Sequence, residues 1–153
     1  MIFDDEGGLR FGLSRDGRFY FKCRRCRTCC NNKRIVPDQT EIERLAARLG
    51  LSEEAFAASF LDPADGTIRL KPNGDCVFLE EHGCGIHPAR PLVCRLFPLG
   101  LIWDETGRER FGLMPLHADC LGYASDEGTI EEYLESEGAN PGLASEARTR
   151  RRP

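Results

Sequence analysis

The chain contains no long run of apolar residues. No stretch in its 153 residues approaches the ~20 consecutive apolar residues that a helix needs to cross a bilayer. The first six residues, Met-Ile-Phe-Asp-Asp-Glu, are acidic, whereas a secretory signal starts with basic residues and continues with an apolar segment. We therefore expect a cytoplasmic protein that does not enter a membrane.

Several catalytic signatures are missing as well. There is no glycine-rich phosphate-binding loop, no GxSxG nucleophile elbow and no HExxH zinc-protease motif. The sequence therefore gives no support to a P-loop nucleotide-binding protein, to a serine hydrolase of the elbow type or to a zinc protease of the HExxH type.

The charges are unevenly distributed along the chain, although its overall composition is ordinary for a globular protein. Hydrophobic residues make up 41% and charged residues 30% of the chain, and its length fits a single domain. The net charge is −4, although four arginines and no acid lie in the last six residues. The preceding part is thus more acidic than the total, which is not typical of a general nucleic-acid binder.

Short strands and helices are predicted along the whole chain, which favours a small, irregular α+β domain. The predicted strands are Leu9–Leu13 paired with Arg18–Phe21, Ile68–Leu70, Cys76–Leu79, and Leu99–Trp103 paired with Phe111–Met114. The predicted helices are Asp38–Leu49, a short helix after Ser52, one turn at Leu92–Leu96, and a last helix from Thr129 to about Glu137.

The last part of the sequence lacks the residues of a packed element. We assign residues 1–137 to the domain and predict that residues 138–153 form a disordered basic tail. Glycine, proline, serine and the four arginines dominate this segment, and they bury too little apolar surface to offset the entropy of ordering it.

Eight cysteines are the most informative feature. They make up about 5% of the residues, below the ~8–10% that is typical of disulfide scaffolds. Four lie within eight residues: Cys23, Cys26, Cys29 and Cys30. Whether these residues form a helix or a loop, CxxC spacing brings thiols to one side, as a metal site requires. The cations around them favour thiolates: Lys22, Arg24, Arg25, Arg27, Lys33 and Arg34.

The other four cysteines are Cys76, Cys84, Cys94 and Cys120, and His87 follows Cys84 by three residues. Eight thiols suffice for two four-ligand sites, or for one site plus thiols that bind no metal. Adjacent cysteines rarely both bind one mononuclear ion, so Cys29 and Cys30 are expected to face different partners. A mere packing role stays open for Cys76 and Cys120.

The cysteine motifs together resemble those of the YkgJ-type cysteine-cluster proteins, a CxxCxxCC family named for a zinc- or iron-chelating domain. The resemblance covers roughly residues 21–122. Its motifs are Phe-Lys-Cys23-x-x-Cys26-x-x-Cys29-Cys30, the helix Asp38–Leu49, Cys76-Val-Phe-Leu, Gly-Cys84-Gly-Ile-His87-Pro-x-Arg90-Pro91-x-x-Cys94-Arg95-x-Phe97-Pro98, and Cys120-Leu-Gly. Many relatives carry tyrosine where this chain has His87, which argues against His87 as a ligand.

The resemblance implies a bacterial protein that chelates zinc or holds an iron–sulfur cluster. We expect a metal-binding module with a structural or electron-transfer role, whose short elements the bound metal holds together. Arg90 and Arg95 are expected to form hydrogen bonds to carbonyls or thiolates near the site. Two alternatives stay open: a metal-dependent protein-modifying enzyme similar to lysine methylases, and a zinc-ribbon-like adaptor for nucleic acid or protein. The metal ion is the expected partner, a protein partner is left open, and nucleic acid is not expected.

Convergence of distant cysteines is the main structural expectation. A shared site requires that Cys23, Cys26, Cys30, Cys84 and Cys94 approach one another although the sequence separates them widely.

Overall fold

The structure is a computed structural model that describes residues 11–24 and 26–150. The predicted α+β class is confirmed. The described residues fall into two compact units rather than around one core. We call the described part of Met1–Arg24 with Leu92–Pro153 the terminal unit, and that of Arg25–Pro91 the central unit.

The elements are short. In chain order the strands are β1 (Arg18–Lys22), β2 (Leu79–Glu80), β3 (Gly83–Cys84), β4 (Leu99–Trp103), β5 (Glu109–Leu113) and β6 (Tyr123–Thr129). The helices are α1 (Gln39–Leu49), α2 (Glu53–Phe60), α3 (Leu92–Leu96), α4 (Ile130–Ser136) and α5 (Asn140–Arg150). Thr28–Cys30 and His87–Ala89 each form one turn of 3₁₀ helix. In the part of the chain described, no helix has the length and apolar character needed to span a bilayer.

Local signals place the helices of the central unit where the sequence predicts them. Asp38 accepts a hydrogen bond from the Glu41 amide at 2.8 Å, and the Glu41 carboxylate accepts one from the Asp38 amide at 3.0 Å, which completes a capping box at α1. Gly50 ends α1 with φ 68°, a conformation that glycine adopts without strain. Ser52 caps α2 by accepting a hydrogen bond from the Ala55 amide at 3.1 Å.

Aromatic residues form the centre of the central unit. Phe56 of α2 is fully buried, and its ring lies 5.4 Å from that of Phe60 and 6.2 Å from that of Phe78. Leu45 of α1 is also fully buried. These side chains hold Phe78, and with it the short strand β2, against the two helices.

In the terminal unit, the predicted β4–β5 hairpin and the α4 capping box are confirmed. For the described residues 11–13, the predicted pairing of Leu9–Leu13 with Arg18–Phe21 is wrong, and β1 pairs antiparallel with β6, the strand that precedes α4. Leu13 instead forms an isolated bridge with Phe111, while Leu9 lies outside the described residues. Of the other predicted strands, Ile68–Leu70 takes part only in isolated bridges.

The predicted disordered tail is wrong for residues 140–150, which form α5. Leu143 is fully buried in the core of the terminal unit, together with Ala139 before the helix. Arg15 also binds the start of α5, through a 2.7 Å hydrogen bond to the Asn140 side chain. Leu143, with Ala139 before it, thus orders a segment whose composition is polar, because these side chains pack into the core of the terminal unit.

We expect Leu143→Ala to lower the free energy of unfolding by about 3 kcal/mol, because it removes a fully buried side chain and leaves a cavity. Arg148→Ala, at an exposed position of the same helix, should change it by less than about 0.5 kcal/mol. Urea denaturation followed by circular dichroism measures both. Equal stability of the two variants would mean that α5 packs as weakly as its composition suggests.

Candidate metal centre

The cysteines are divided between the two units. The central unit contains Cys26, Cys29, Cys30, Cys76 and Cys84, and the terminal unit contains Cys23, Cys94 and Cys120. The expected convergence of five of them, Cys23, Cys26, Cys30, Cys84 and Cys94, would involve residues of both units and stays a prediction. Within the central unit, however, the surroundings of each cysteine are defined.

The first cysteine motif forms a loop that ends in one turn of 3₁₀ helix, so the α-helical alternative is wrong. Arg27 precedes the turn with φ 72°, and the Cys30 amide donates to the Arg27 carbonyl at 2.9 Å. This left-handed residue reverses the chain and places Cys29 and Cys30 together on the turn. Arg25 lies outside the described residues.

Backbone hydrogen bonds attach this turn to the segment that carries Cys76. The Cys76 amide donates to the Cys30 carbonyl at 2.8 Å, and the Asn32 amide donates to the Gly74 carbonyl at 2.8 Å. Asn31 forms a bridge with Asp75 between these two bonds. The two cysteine-bearing segments are therefore fixed side by side.

Cys84 enters the same region through the β2–β3 pair. Leu79 lies directly opposite Cys84, and the Leu79 amide donates to the Cys76 carbonyl at 2.9 Å. The charge of Cys84 raises the pKa of Cys76, and the charge of Cys29 raises the pKa of Cys84, so Cys84 lies near both thiols. Four cysteines thus form one neighbourhood, which we call the four-thiol cluster: Cys29, Cys30, Cys76 and Cys84.

The thiols of the four-thiol cluster differ in acidity. A hydrogen bond from the Cys30 thiol lowers the pKa of Cys29 to about 6, against the opposing effect of burial and with help from the charge of Lys33. Burial raises the pKa of Cys76 and of Cys84. The cluster therefore combines one thiolate at neutral pH with thiols that burial keeps protonated.

Each of three thiols has a cation near it. Lys33 acts on Cys29, Lys71 on Cys76 and Arg90 on Cys84. Of these, the basic run of the first motif supplies only Lys33. No sequence motif points to Lys71 as a neighbour of the cluster. Lys71 lies at the start of a turn that precedes Asp75, and the bridge between Asn31 and Asp75 brings this turn to the cluster.

Arginines fix the loop that follows Cys84. Arg90 donates to the His87 carbonyl at 2.9 Å, and Arg44 of α1 donates to the carbonyls of Ala89 and Arg90 at 3.3 and 3.2 Å. The expected role of Arg90 as a donor to carbonyls is confirmed. Arg95, in the terminal unit, donates to the Glu137 carbonyl at 3.0 Å.

The remaining cysteines have other surroundings. The Cys26 sulfur lies 3.3 Å from the Thr28 hydroxyl, on the wall of a cavity of about 430 Å³. Cys120 accepts a hydrogen bond from the Gly122 amide at 3.4 Å and packs against the core of the terminal unit. Cys94 lies in α3, and Cys23 is exposed after β1.

The donor set fits zinc or iron in its chemistry, since thiolates are ligands that both metals take in proteins. Among the residues that the structure describes, no three His, Cys, Asp or Glu side chains already lie where they could share one ion. A coordinating Cys30 would give up the proton that it donates to Cys29.

In the reduced, metal-free protein, we expect Cys29 to react with iodoacetamide with a pH midpoint of about 6. Cys30→Ala removes the donated hydrogen bond and should move this midpoint up towards the ordinary thiol value. Peptide mass spectrometry of the alkylated protein measures the midpoint. Cys120→Ala, a control in the other unit, should leave it in place, and an unchanged midpoint in Cys30→Ala would show that the hydrogen bond does not set the acidity.

Comparison with known proteins identifies a family. The model of the CxxCxxCC family, described as a putative zinc- or iron-chelating domain, matches residues 22–127, which is more than half of the chain. Searches of the curated proteins and of the solved structures each found no match. The matched range includes all eight cysteines, and it supports binding of zinc or iron. The chain belongs to the CxxCxxCC family.

Proposed function

We propose that the protein is a structural metal-binding module in which the four-thiol cluster holds zinc or iron. The observation that carries this proposal is the proximity of Cys29, Cys30, Cys76 and Cys84, which come from three separate segments of the central unit. Packing alone does not require cysteine at four neighbouring positions, whereas a thiolate site does.

A structural role follows from how little regular structure surrounds the cluster. Residues 61–91 contain two strands of two residues each and one turn of 3₁₀ helix. The backbone hydrogen bonds of this segment belong to turns and isolated bridges rather than to a long helix or sheet. A metal bound by Cys30, Cys76 and Cys84 would cross-link its loops to the first cysteine motif and contribute binding free energy to folding.

The charges near the cluster support metal binding. Thiolate ligands bring negative charge that the metal only partly neutralises, and Lys33, Lys71 and Arg90 offset the remainder. Cys29 is already acidic enough to be a thiolate at pH 7. The adjacent pair Cys29–Cys30 favours a site in which the two thiols have different roles, such as one ligand and one neighbour, or ligands to different ions of a cluster.

We expect protein purified without oxygen to contain zinc or iron, and metal removal by a chelator under reducing conditions to lower the melting temperature. Elemental analysis, an absorption spectrum and thermal denaturation before and after chelation measure this. An absorption band from iron–sulfur charge transfer would assign iron, and its absence with stoichiometric zinc would assign zinc. A metal-free protein with the same melting temperature before and after chelation would overturn the proposal.

Matched cysteine variants localise the site. Cys84→Ser should lose most of the bound metal, while Cys84→His, which keeps a donor suited to zinc, should retain part of it. Cys120→Ser should keep the metal, because the Cys120 thiol already bonds the Gly122 amide in the terminal unit. Loss of metal in Cys120→Ser, with retention in Cys84→Ser, would place the site outside the four-thiol cluster.

A further inference from the structure

One face of the β1–β6 sheet is exposed and carries tyrosines between cations. β1 alternates strictly: Phe19 and Phe21 point into the core, whereas Arg18, Tyr20 and Lys22 are exposed. The register places Lys22 opposite Tyr123 and Tyr20 opposite Ser125. We call these five residues the tyrosine face: Arg18, Tyr20, Lys22, Tyr123 and Ser125.

The two tyrosines occupy diagonal positions on this face. Residues that lie diagonally across an antiparallel pair have Cβ atoms about 7–8 Å apart, within reach of aromatic side chains. Tyr20 and Tyr123 are related in this way and are 39% and 58% exposed. Two aromatic side chains are thus exposed to solvent, although the same strand has buried positions for aromatics.

Cations accompany the rings at one end of the sheet. Lys22 lies directly opposite Tyr123, and Arg24, two residues further along the chain, is also exposed. The nearby carboxylates, Asp126 and Glu127, lie at the other end of β6, where the Arg18 guanidinium donates to the Asp126 carbonyl at 3.1 Å. The Lys22 end of the face is therefore locally basic.

We propose that the tyrosine face binds single-stranded nucleic acid. Two exposed aromatic rings on a sheet provide stacking surfaces for successive unpaired bases, and flanking lysine and arginine side chains attract the phosphates. An acidic peptide would use the cations but would gain little from paired ring faces. The combination therefore fits unpaired bases linked by phosphates better than it fits a chain of carboxylates.

The net charge is −4, and the chain before its arginine-rich end is more negative still, so long-range repulsion of RNA limits the affinity. Salt screens these distant charges beyond about 10 Å at ~0.1 M ionic strength, which leaves the local cations to bind phosphates. We therefore expect a dissociation constant on the order of 10 μM at low salt. Three phosphate contacts, through Arg18, Lys22 and Arg24, predict a slope of about −2 for log K against log salt.

The test measures fluorescence anisotropy of a labelled, mixed-sequence single-stranded RNA titrated with the full chain, at about 50 and about 200 mM salt. Tyr20→Ala and Tyr123→Ala should each weaken binding roughly tenfold, because each removes one stacking surface. Tyr20→Trp should retain binding. Leu113→Ala, which truncates another exposed apolar side chain of the same unit, should have no effect.

Charge variants separate phosphate contacts from general attraction. Lys22→Gln should reduce the salt slope by about 0.7, whereas Arg108→Gln, an exposed cation at the β4–β5 turn, should leave it unchanged. Circular dichroism and metal content check that each variant is folded, and the binding measurement does not depend on which metal the protein holds.

Three outcomes would overturn the proposal. The first is no binding of RNA at low salt, and the second is equal binding of the same sequence as a duplex, which offers no unpaired bases. The third is competition by a polyglutamate peptide together with full binding by Tyr20→Ala and Tyr123→Ala, which would identify an acidic peptide as the occupant.

Discussion

The hydrogen bond from the Cys76 amide to the Cys30 carbonyl is the contact on which the four-thiol cluster depends. It fixes two segments that the chain separates by two helices, and it does so through backbone atoms that every residue has. The side chains at these positions are therefore free to be selected for chemistry. Phe78 anchors the following strand in the aromatic core, and the same strand pair carries Cys84 to the cluster.

Burial and charge act in opposite directions on these thiols. Burial raises the pKa of Cys76 and Cys84, which protects them as neutral thiols in the metal-free protein. The hydrogen bond from Cys30 overcomes the same effect at Cys29 and leaves a thiolate at neutral pH. A metal ion would change this balance, because its positive charge favours the deprotonated form of every thiol that it binds.

The sequence predicted well the features that depend on neighbouring residues. Asp38 with Glu41, Ser52, and Thr129 with Glu132 each cap a helix within three positions, so their signals are local. The β4–β5 hairpin is local as well. The cysteine motifs identified the kind of site for the same reason, since CxxC spacing is a short-range pattern.

The features that the sequence did not predict depend on contacts between distant parts of the chain. Arg18–Phe21 has the composition of a strand whichever partner it pairs with, and nothing in its own residues selects β6 over the preceding segment. Lys71 likewise comes near the four-thiol cluster only through the bridge between Asn31 and Asp75.

The segment after residue 137 shows how composition misleads when a core already exists. The average hydropathy of the segment is polar. A helix of this length is nevertheless ordered when its few apolar side chains pack against an existing apolar surface. Leu143 meets such a surface, and Leu92 of α3 packs so closely on Gly142 that a Cβ there would lie 3.1 Å from it. The hydrogen bond from Arg15 to Asn140 then fixes the first turn, in a contact that joins residues 125 positions apart. A local average of hydropathy cannot register a contact of that separation, whereas the order of the helix depends on it.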